Sequence, residues 1–245
     1  YVLDANAWVN APKLAALRSV SLSLADGATL DAPALTDFSG STVSLNPSRT
    51  LVTGGLSNID NARFTLRGGA MFGHAWGDVT ANGYASTGLN GSYTLMDVAG
   101  ANTVLDLSGL TTFDAGFNHG YPGGEVHTVK VSDFGRLDLS SVASLRGPRQ
   151  GSDYLRFYAS SGGVLDLGAL QSTDAAEAVG FYVSSAGTLI IGDLTVTDDV
   201  LLSVTDANSL LRFNGSLFLD PTSQLTVTGG SRIEIGRHLT NELTS

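Results

Sequence analysis

The amino-acid sequence predicts an all-β chain that coils into stacked rungs of short strands. The first observation is a repeated pattern, in which Leu137-Asp138-Leu139 and Leu165-Asp166-Leu167 each follow an alternating strand and a short turn. The second is that this pattern recurs along the chain every few tens of residues. The third is a composition with 30 Gly and only 8% aromatic residues, which favours many turns and small side chains. Short strands of period two that recur in this way are typical of solenoids.

One strand of each rung has the Leu-Asp-Leu pattern and is called the anchor strand. Nine anchor strands are predicted, beginning at Leu3, Leu30, Phe64, Leu105, Leu137, Leu165, Leu189, Leu211 and Ile233. They are 22 to 41 residues apart, because loops at one corner of a coil can lengthen without disturbing the stacked strands. The sequence thus predicts about nine rungs, and Ile59 or Leu66 offers an alternative register near Phe64.

Two further elements accompany the anchor strands. A strand with clean apolar–polar alternation precedes most of them, as in Val129-Lys130-Val131, and a turn dipeptide such as Gly162-Gly163 separates the two. After several anchors the apolar residues are three apart, as in Pro33-Ala34-Leu35-Thr36-Asp37-Phe38, a spacing that suits a corner better than a flat strand. Each repeat is therefore predicted to run strand, turn, anchor strand, corner and loop.

Charge and composition exclude several functions. The 245 residues include 13 basic and 23 acidic ones, and the formal net charge of −10 repels nucleic acid and anionic membranes. The absence of Cys excludes disulfides, zinc–thiolate sites and thiol nucleophiles. No apolar run approaches the roughly 20 residues that span a bilayer. We therefore expect neither a nucleic-acid partner nor membrane insertion.

Two long loop inserts, near residues 68–89 and 115–127, carry the residues best suited to binding a sugar. The candidates are His74, Trp76, Asp78, Tyr84, His119, Tyr121, Glu125 and His127. Aromatic and His side chains beside carboxylates could form a sugar-stacking platform or a general acid–base pair. The simpler interpretation, which we favour, is that Phe72 and Trp76 anchor loops that pack on themselves.

A column of Asp residues follows from the alternation within the anchor strands. If the two Leu residues of each anchor point inward, the Asp between them points outward. Stacking then places Asp4 beside Asp31, and Asp106, Asp138 and Asp166 in one line. Such carboxylates repel one another, and Ca²⁺ could offset the repulsion with its preference for oxygen ligands. The alternative, which we favour, is a solvated polar column that discourages aggregation between sheets.

The Gly-containing turns and Leu-Asp-Leu strands together resemble right-handed parallel β-helix proteins, particularly the passenger and adhesin-like repeats of large bacterial surface and secreted proteins. The resemblance covers nearly the whole chain. It implies a single right-handed parallel β-helix with three faces and an extracellular or cell-surface location. It also implies adhesion or scaffolding more often than catalysis, although polysaccharide-cleaving enzymes share the architecture.

We therefore expect residues 1–245 to form one β-helix domain, a fragment of a longer repeat protein, because no amphipathic helix caps either end. The expected function is that of a non-catalytic structural or adhesive module. Its expected partners are neighbouring repeats or a second copy joined end to end, with glycans and host or surface proteins as further candidates. The alternative is a polysaccharide-active lyase or hydrolase, or a sugar-binding module, with its site under the two inserts. No cofactor is expected, apart from Ca²⁺ as a candidate ligand of Asp106, Asp138 and Asp166.

Overall fold

The protein is a parallel β-solenoid of about nine turns, which confirms the predicted fold class. The computed structural model describes residues 2–47, 50–117, 124–149, 152–175, 179–195 and 200–241. These residues form 27 strands, numbered β1 to β27 in chain order, and one 3₁₀ turn, with no α-helix among them. Every strand pair is parallel and joins elements that lie one turn apart along the chain.

The first sheet runs the length of the described chain and contains ten strands in sequence order. They are β1 (Val2–Leu3), β3 (Ser21–Leu24), β5 (Thr42–Leu45), β7 (Arg63–Arg67), β10 (Tyr93–Ala99), β13 (Val126–Ser132), β16 (Tyr154–Ala159), β19 (Val179–Val183), β22 (Val200–Val204) and β25 (Gln224–Val227). Strand β10 contains a bulge between Thr94 and Met96, so its pairing with β13 shifts by one residue there.

The second face is divided into two sheets. The first three turns contribute β2 (Trp8–Asn10), β4 (Thr29–Asp31) and β6 (Thr50–Val52). The later turns contribute β8 (Met71–Gly73), β11 (Val104–Asp106), β14 (Arg136–Asp138), β17 (Val164–Leu167), β20 (Thr188–Ile191), β23 (Leu210–Phe213) and β26 (Arg232–Ile235). Seven of the nine predicted anchor strands lie on this face, namely β4, β11, β14, β17, β20, β23 and β26.

The third face has regular strands only from the fourth turn onward. They are β9 (Gly83–Ala85), β12 (Thr112–Asp114), β15 (Ser144–Arg146), β18 (Ser172–Asp174), β21 (Leu194–Thr195), β24 (Leu217–Leu219) and β27 (Leu239–Asn241). In the earlier turns isolated bridges join Ala16 to Asp37 and Asp37 to Asn58.

The predicted anchors at Leu3 and Phe64 were wrong. Leu3 pairs with Leu24, and Phe64 pairs with Val43, so both lie in the first sheet. The inner column of the second face instead begins with Val9, Leu30, Leu51 and Phe72, which are spaced 21 residues apart. The cause is that both faces consist of short strands with period-two alternation, so the sequence of one strand does not show to which face it belongs. Only its hydrogen-bonded partners show that.

The core is a set of apolar columns that run along the solenoid axis. Leu105, Leu137, Leu165 and Leu189 are fully buried, as predicted, and Ile233 is half-buried in the last turn. The turn between the first and second faces is tight, and Gly187 shows why. A Cβ atom on Gly187 would lie 2.2 Å from the carbonyl oxygen of Ala159, so no other residue fits there.

Candidate functional site

The first group of predicted site residues lies at the corner that follows β8. Residues 68–89, predicted as a loop insert, contain β8, a 3₁₀ turn at His74–Trp76 and β9, so much of this stretch belongs to the coil itself. The imidazole of His74 is held between two main-chain carbonyls, with Nδ1 3.3 Å from Asp106 O and Nε2 2.9 Å from Ala81 O. Oδ2 of Asp78 accepts a hydrogen bond from the Gly73 amide at 3.2 Å. Trp76, in contrast, is 43% exposed.

Tyr84 is a core residue of the third face. It lies on β9, is only 2% exposed, and packs at 4.9 Å against the ring of Phe113. Its hydroxyl donates a hydrogen bond of 2.9 Å to Ala62 O, and burial raises the pKa of this hydroxyl far above its usual value. A side chain buried in this way cannot serve as an exposed sugar-stacking platform.

His127 lies inside the first sheet, on β13, and is fully buried. Its ring stacks on Phe117 with centroids 3.7 Å apart, and its Nδ1 is 3.1 Å from the hydroxyl of Ser86. Burial lowers the pKa of His127 to about 4, an effect that the Glu125 carboxylate only partly opposes. A Ser–His pair can activate a nucleophile, but Ser86 is also fully buried, so substrate has no access to this pair.

The predicted candidates do not assemble into one site among the described residues. His74 and Asp78 bond to a corner of the second face, whereas Tyr84 and His127 point into the core from two other faces. Glu125 is half-buried, and its carboxylate accepts a hydrogen bond from the Ser92 hydroxyl. His119 and Tyr121 lie outside the described residues, so their predicted role stays a prediction.

The predicted stack of Asp106, Asp138 and Asp166 is confirmed by the pairing of β11 with β14 and of β14 with β17. In each Asp, Oδ1 accepts a hydrogen bond of 2.9 to 3.0 Å from the main-chain amide two residues on. This is an Asx turn, which holds the corner after the anchor strand. The prediction that Asp4 lies beside Asp31 was wrong, because the partners of Asp31 are Asn10 and Val52.

Charges in this column are partly compensated by Arg136. Its guanidinium lies 2.8 Å from Oδ2 of Asp138 and 3.5 Å from Oδ2 of Asp166. Burial alone would raise the pKa of Asp138, but hydrogen bonds from Arg136 and Ser140 lower it below its usual value. The pKa of Asp166 is raised by burial and, in addition, by the neighbouring carboxylate of Asp138. The column is therefore asymmetric, with the cation nearest its middle member.

A surface that the sequence analysis did not single out lies on the outer side of the first sheet. Tyr158 and Tyr182 stack on each other with ring centroids 4.9 Å apart, and both are half-buried. The guanidinium of Arg156 lies 4.7 Å from the ring centroid of Tyr154. The signal was present in the alternation of Tyr154-Leu155-Arg156-Phe157-Tyr158, since the buried phase of this strand places the Tyr and Arg residues outside.

Comparisons with protein-family models, with curated proteins and with solved structures found no match to this chain. Among the described residues, no group of three or more His, Asp or Glu side chains is placed to hold a metal ion. Binding of Ca²⁺ by the column of Asp106, Asp138 and Asp166 stays a prediction. No helix in the described part of the chain is both long and apolar enough to cross a membrane.

Proposed function

We propose that this chain is a non-catalytic structural or adhesive module of a larger bacterial protein, secreted or displayed at the cell surface. The observation that carries the proposal is how its polar side chains are used. His74, Tyr84, Asp106, Asp138 and Asp166 all bond to main-chain groups that hold turns of the solenoid. Side chains used in this way help to hold the turns of the coil, and this use supports a structural role.

The end faces of the described coil support association with a neighbouring repeat or a second copy. At one end, Leu3, Val9, Leu14 and Leu17 help to line an apolar cavity of about 220 Å³. At the other end, Leu225, Val227 and Leu239 are exposed, with Val227 at 45%, and Ile233 and Ile235 are half-buried. Among the described strands, β1 at one end of the first sheet and β25 at the other are each paired on one side only. Unpaired parallel edges and open apolar columns are complementary surfaces for stacking one turn on another.

Sedimentation velocity between about 1 and 100 μM tests this association, a range suited to a weak interface. We expect association that depends on concentration and weakens when Ile233 and Ile235 are both changed to Lys, because the inward-facing charges cannot be buried. Val227→Lys serves as a second end variant in case the double substitution unfolds the last turn. Met71→Lys, at an exposed apolar residue on the side of the coil, is the matched control and should leave association unchanged.

Trp8 offers an independent readout, because it is 66% exposed on β2 at the first end. In a Trp76→Phe background its fluorescence should shift to shorter wavelength as concentration rises and the end becomes covered. A strict monomer at about 100 μM with no such shift would contradict end-to-end association.

The second candidate function, a polysaccharide-active lyase or hydrolase, is favoured by one observation. Trp76 is exposed beside the half-buried His74 and Asp78 at a single corner. Turnover of a polysaccharide that is abolished by Asp78→Asn or Glu125→Gln would replace the structural proposal with this one.

A further inference from the structure

One face of this acidic protein is basic. The outward side chains of β7, β10, β13 and β16 include four cations and a single carboxylate, namely Arg63, Arg67, Lys130, Arg156 and Asp97. The chain as a whole has a formal net charge of −10. Four cations and one carboxylate give this part of the first sheet a net charge of +3, opposite in sign to that of the chain.

Two of these cations share one carboxylate. Asp97 Oδ2 lies 2.5 Å from Arg67 and 2.9 Å from Lys130. Arg63 and Arg156, in contrast, form no ion pair with any carboxylate in the described ranges. Each instead lies over an aromatic ring, Arg63 at 5.0 Å from the Tyr93 centroid and Arg156 at 4.7 Å from that of Tyr154. The rings orient these guanidinium groups and leave their positive charge uncompensated.

The two arginines lie on the same outer face of the sheet, on strands three apart. Thr128 pairs with Arg156 and with Thr94. Arg63 directly precedes Phe64, the partner of Met96, so the bulge in β10 between Thr94 and Met96 separates Arg63 from these paired residues. Three strand spacings separate Arg63 from Arg156, which is about 14 Å. The hydroxyls of Thr94 and Thr128 lie between them, and Thr94 is exposed. This face therefore presents two hydroxyls between two cations along the solenoid axis.

An aromatic platform continues beyond Arg156. Tyr158 and Tyr182 are stacked at 4.9 Å, and the neighbour of Tyr182 on its other side is Ser203. The ring of Tyr182 lies over Gly180, because a Cβ atom added to Gly180 would come within 2.4 Å of it, and the partner of Gly180 on β22 is Leu201. Both rings are half-buried, so part of the stack is exposed. That part can contact the C–H surface of a sugar ring, and the adjacent hydroxyls can accept or donate hydrogen bonds.

We propose that this face binds an acidic polysaccharide, a chain of sugars that carries carboxylates. Guanidinium groups bind carboxylates through paired hydrogen bonds, and two of them on strands about 14 Å apart fit an extended polymer better than one small anion. The exposed part of the Tyr158–Tyr182 stack and the hydroxyls of Thr94 and Thr128 fit the uncharged part of the sugars. The negative charge of the whole chain disfavours a polyanion of high charge density such as DNA. This inference concerns binding only and goes beyond the structural role proposed above.

Isothermal titration calorimetry with alginate oligosaccharides tests the proposal, with neutral maltooligosaccharides of equal length and inorganic polyphosphate as comparison ligands. We expect binding of alginate that weakens as salt is added, and little binding of the neutral sugar. Arg156→Gln should weaken alginate binding about tenfold or more, because it removes a charged hydrogen-bond donor. Arg63→Gln should act in the same direction and remains informative if Arg156→Gln fails to fold.

Two controls separate this site from general electrostatics. Arg212→Gln removes an equal charge from the second face, where Arg212 pairs with Glu234, and should leave alginate binding unchanged. Tyr182→Ala should weaken binding of alginate but not of polyphosphate, which has no C–H surface. Equal losses in Arg212→Gln and Arg156→Gln, polyphosphate binding as tight as that of alginate, or no alginate binding at all would overturn the proposal. End-to-end association, measured on the same variants, should be unaffected and is judged separately.

Discussion

Two aromatic pairs lie back to back on strands β16 and β19. Phe157 and Phe181 point inward, are fully buried, and stack with centroids 5.2 Å apart at an interplanar angle of 17°. Tyr158 and Tyr182, the next residues on the same strands, point outward and stack at 4.9 Å and 16°. The strands give both pairs the same stacking geometry, and the pairs differ in the side of the sheet that they occupy. The inner pair therefore contributes to stability, while the outer pair is free to contribute to recognition.

The largest expected difference between the two pairs is in stability. Phe157→Ala should lower the free energy of unfolding by about 3–5 kcal/mol, because it opens a cavity in a closely packed column. Tyr158→Ala, its matched control one residue away, should cost less than about 1 kcal/mol, since its ring is half in solvent. Urea unfolding followed by circular dichroism measures both. Similar losses for the two variants would mean that the outer stack also holds the coil together.

A smaller effect on stability is expected from His127, a polar side chain on the inner side of the first sheet. The pKa of His127 is about 4 in the folded chain, against about 6.5 in an unfolded one. Above about pH 6.5 the imidazole is neutral in both states and has no effect on the pH dependence of stability. As the pH falls from about 6.5 to about 4, the unfolded chain binds the proton first, so the free energy of unfolding should fall by about 3 kcal/mol.

His127→Phe should remove this part of the pH dependence, and unfolding curves at several pH values will measure it. His238→Gln, at an exposed position, is the control and should keep the dependence seen in the unsubstituted chain. An unchanged slope in His127→Phe would show that other groups, such as the carboxylates, produce it.

The smallest effect is expected on the outer polar column. Asp138→Ala removes the bond to the Ser140 amide and the ion pair with Arg136, and should cost about 1 kcal/mol. Asp138→Asn keeps an oxygen for the turn and should cost less. Thermal unfolding compares the two variants. If Asp138→Ala proves more stable than the unsubstituted chain, repulsion from Asp106 and Asp166 outweighs the turn bond.

The sequence by itself determined the fold class and the alternation within each strand. Leu137-Asp138-Leu139 and Leu165-Asp166-Leu167 were enough to predict an inward Leu column and the outward stack of Asp138 on Asp166. These predictions succeeded because period-two alternation is a local property, and each turn of a solenoid repeats the local solution of the turn before it.

The tertiary structure alone decided which face each strand occupies and which side chains from different turns of the solenoid lie close together. Leu3 and Phe64 have the alternation of an anchor strand, yet their partners place them in the first sheet. Tyr84 and His127 have the chemistry of a binding site, yet both point inward, because the start of each strand sets which alternate residues are buried. Arg63 and Arg156 are 93 positions apart in the sequence, and only the stacking of turns brings them onto one face of the first sheet. Long-range register is a property of the hydrogen-bonded neighbours, so no local pattern could reveal it.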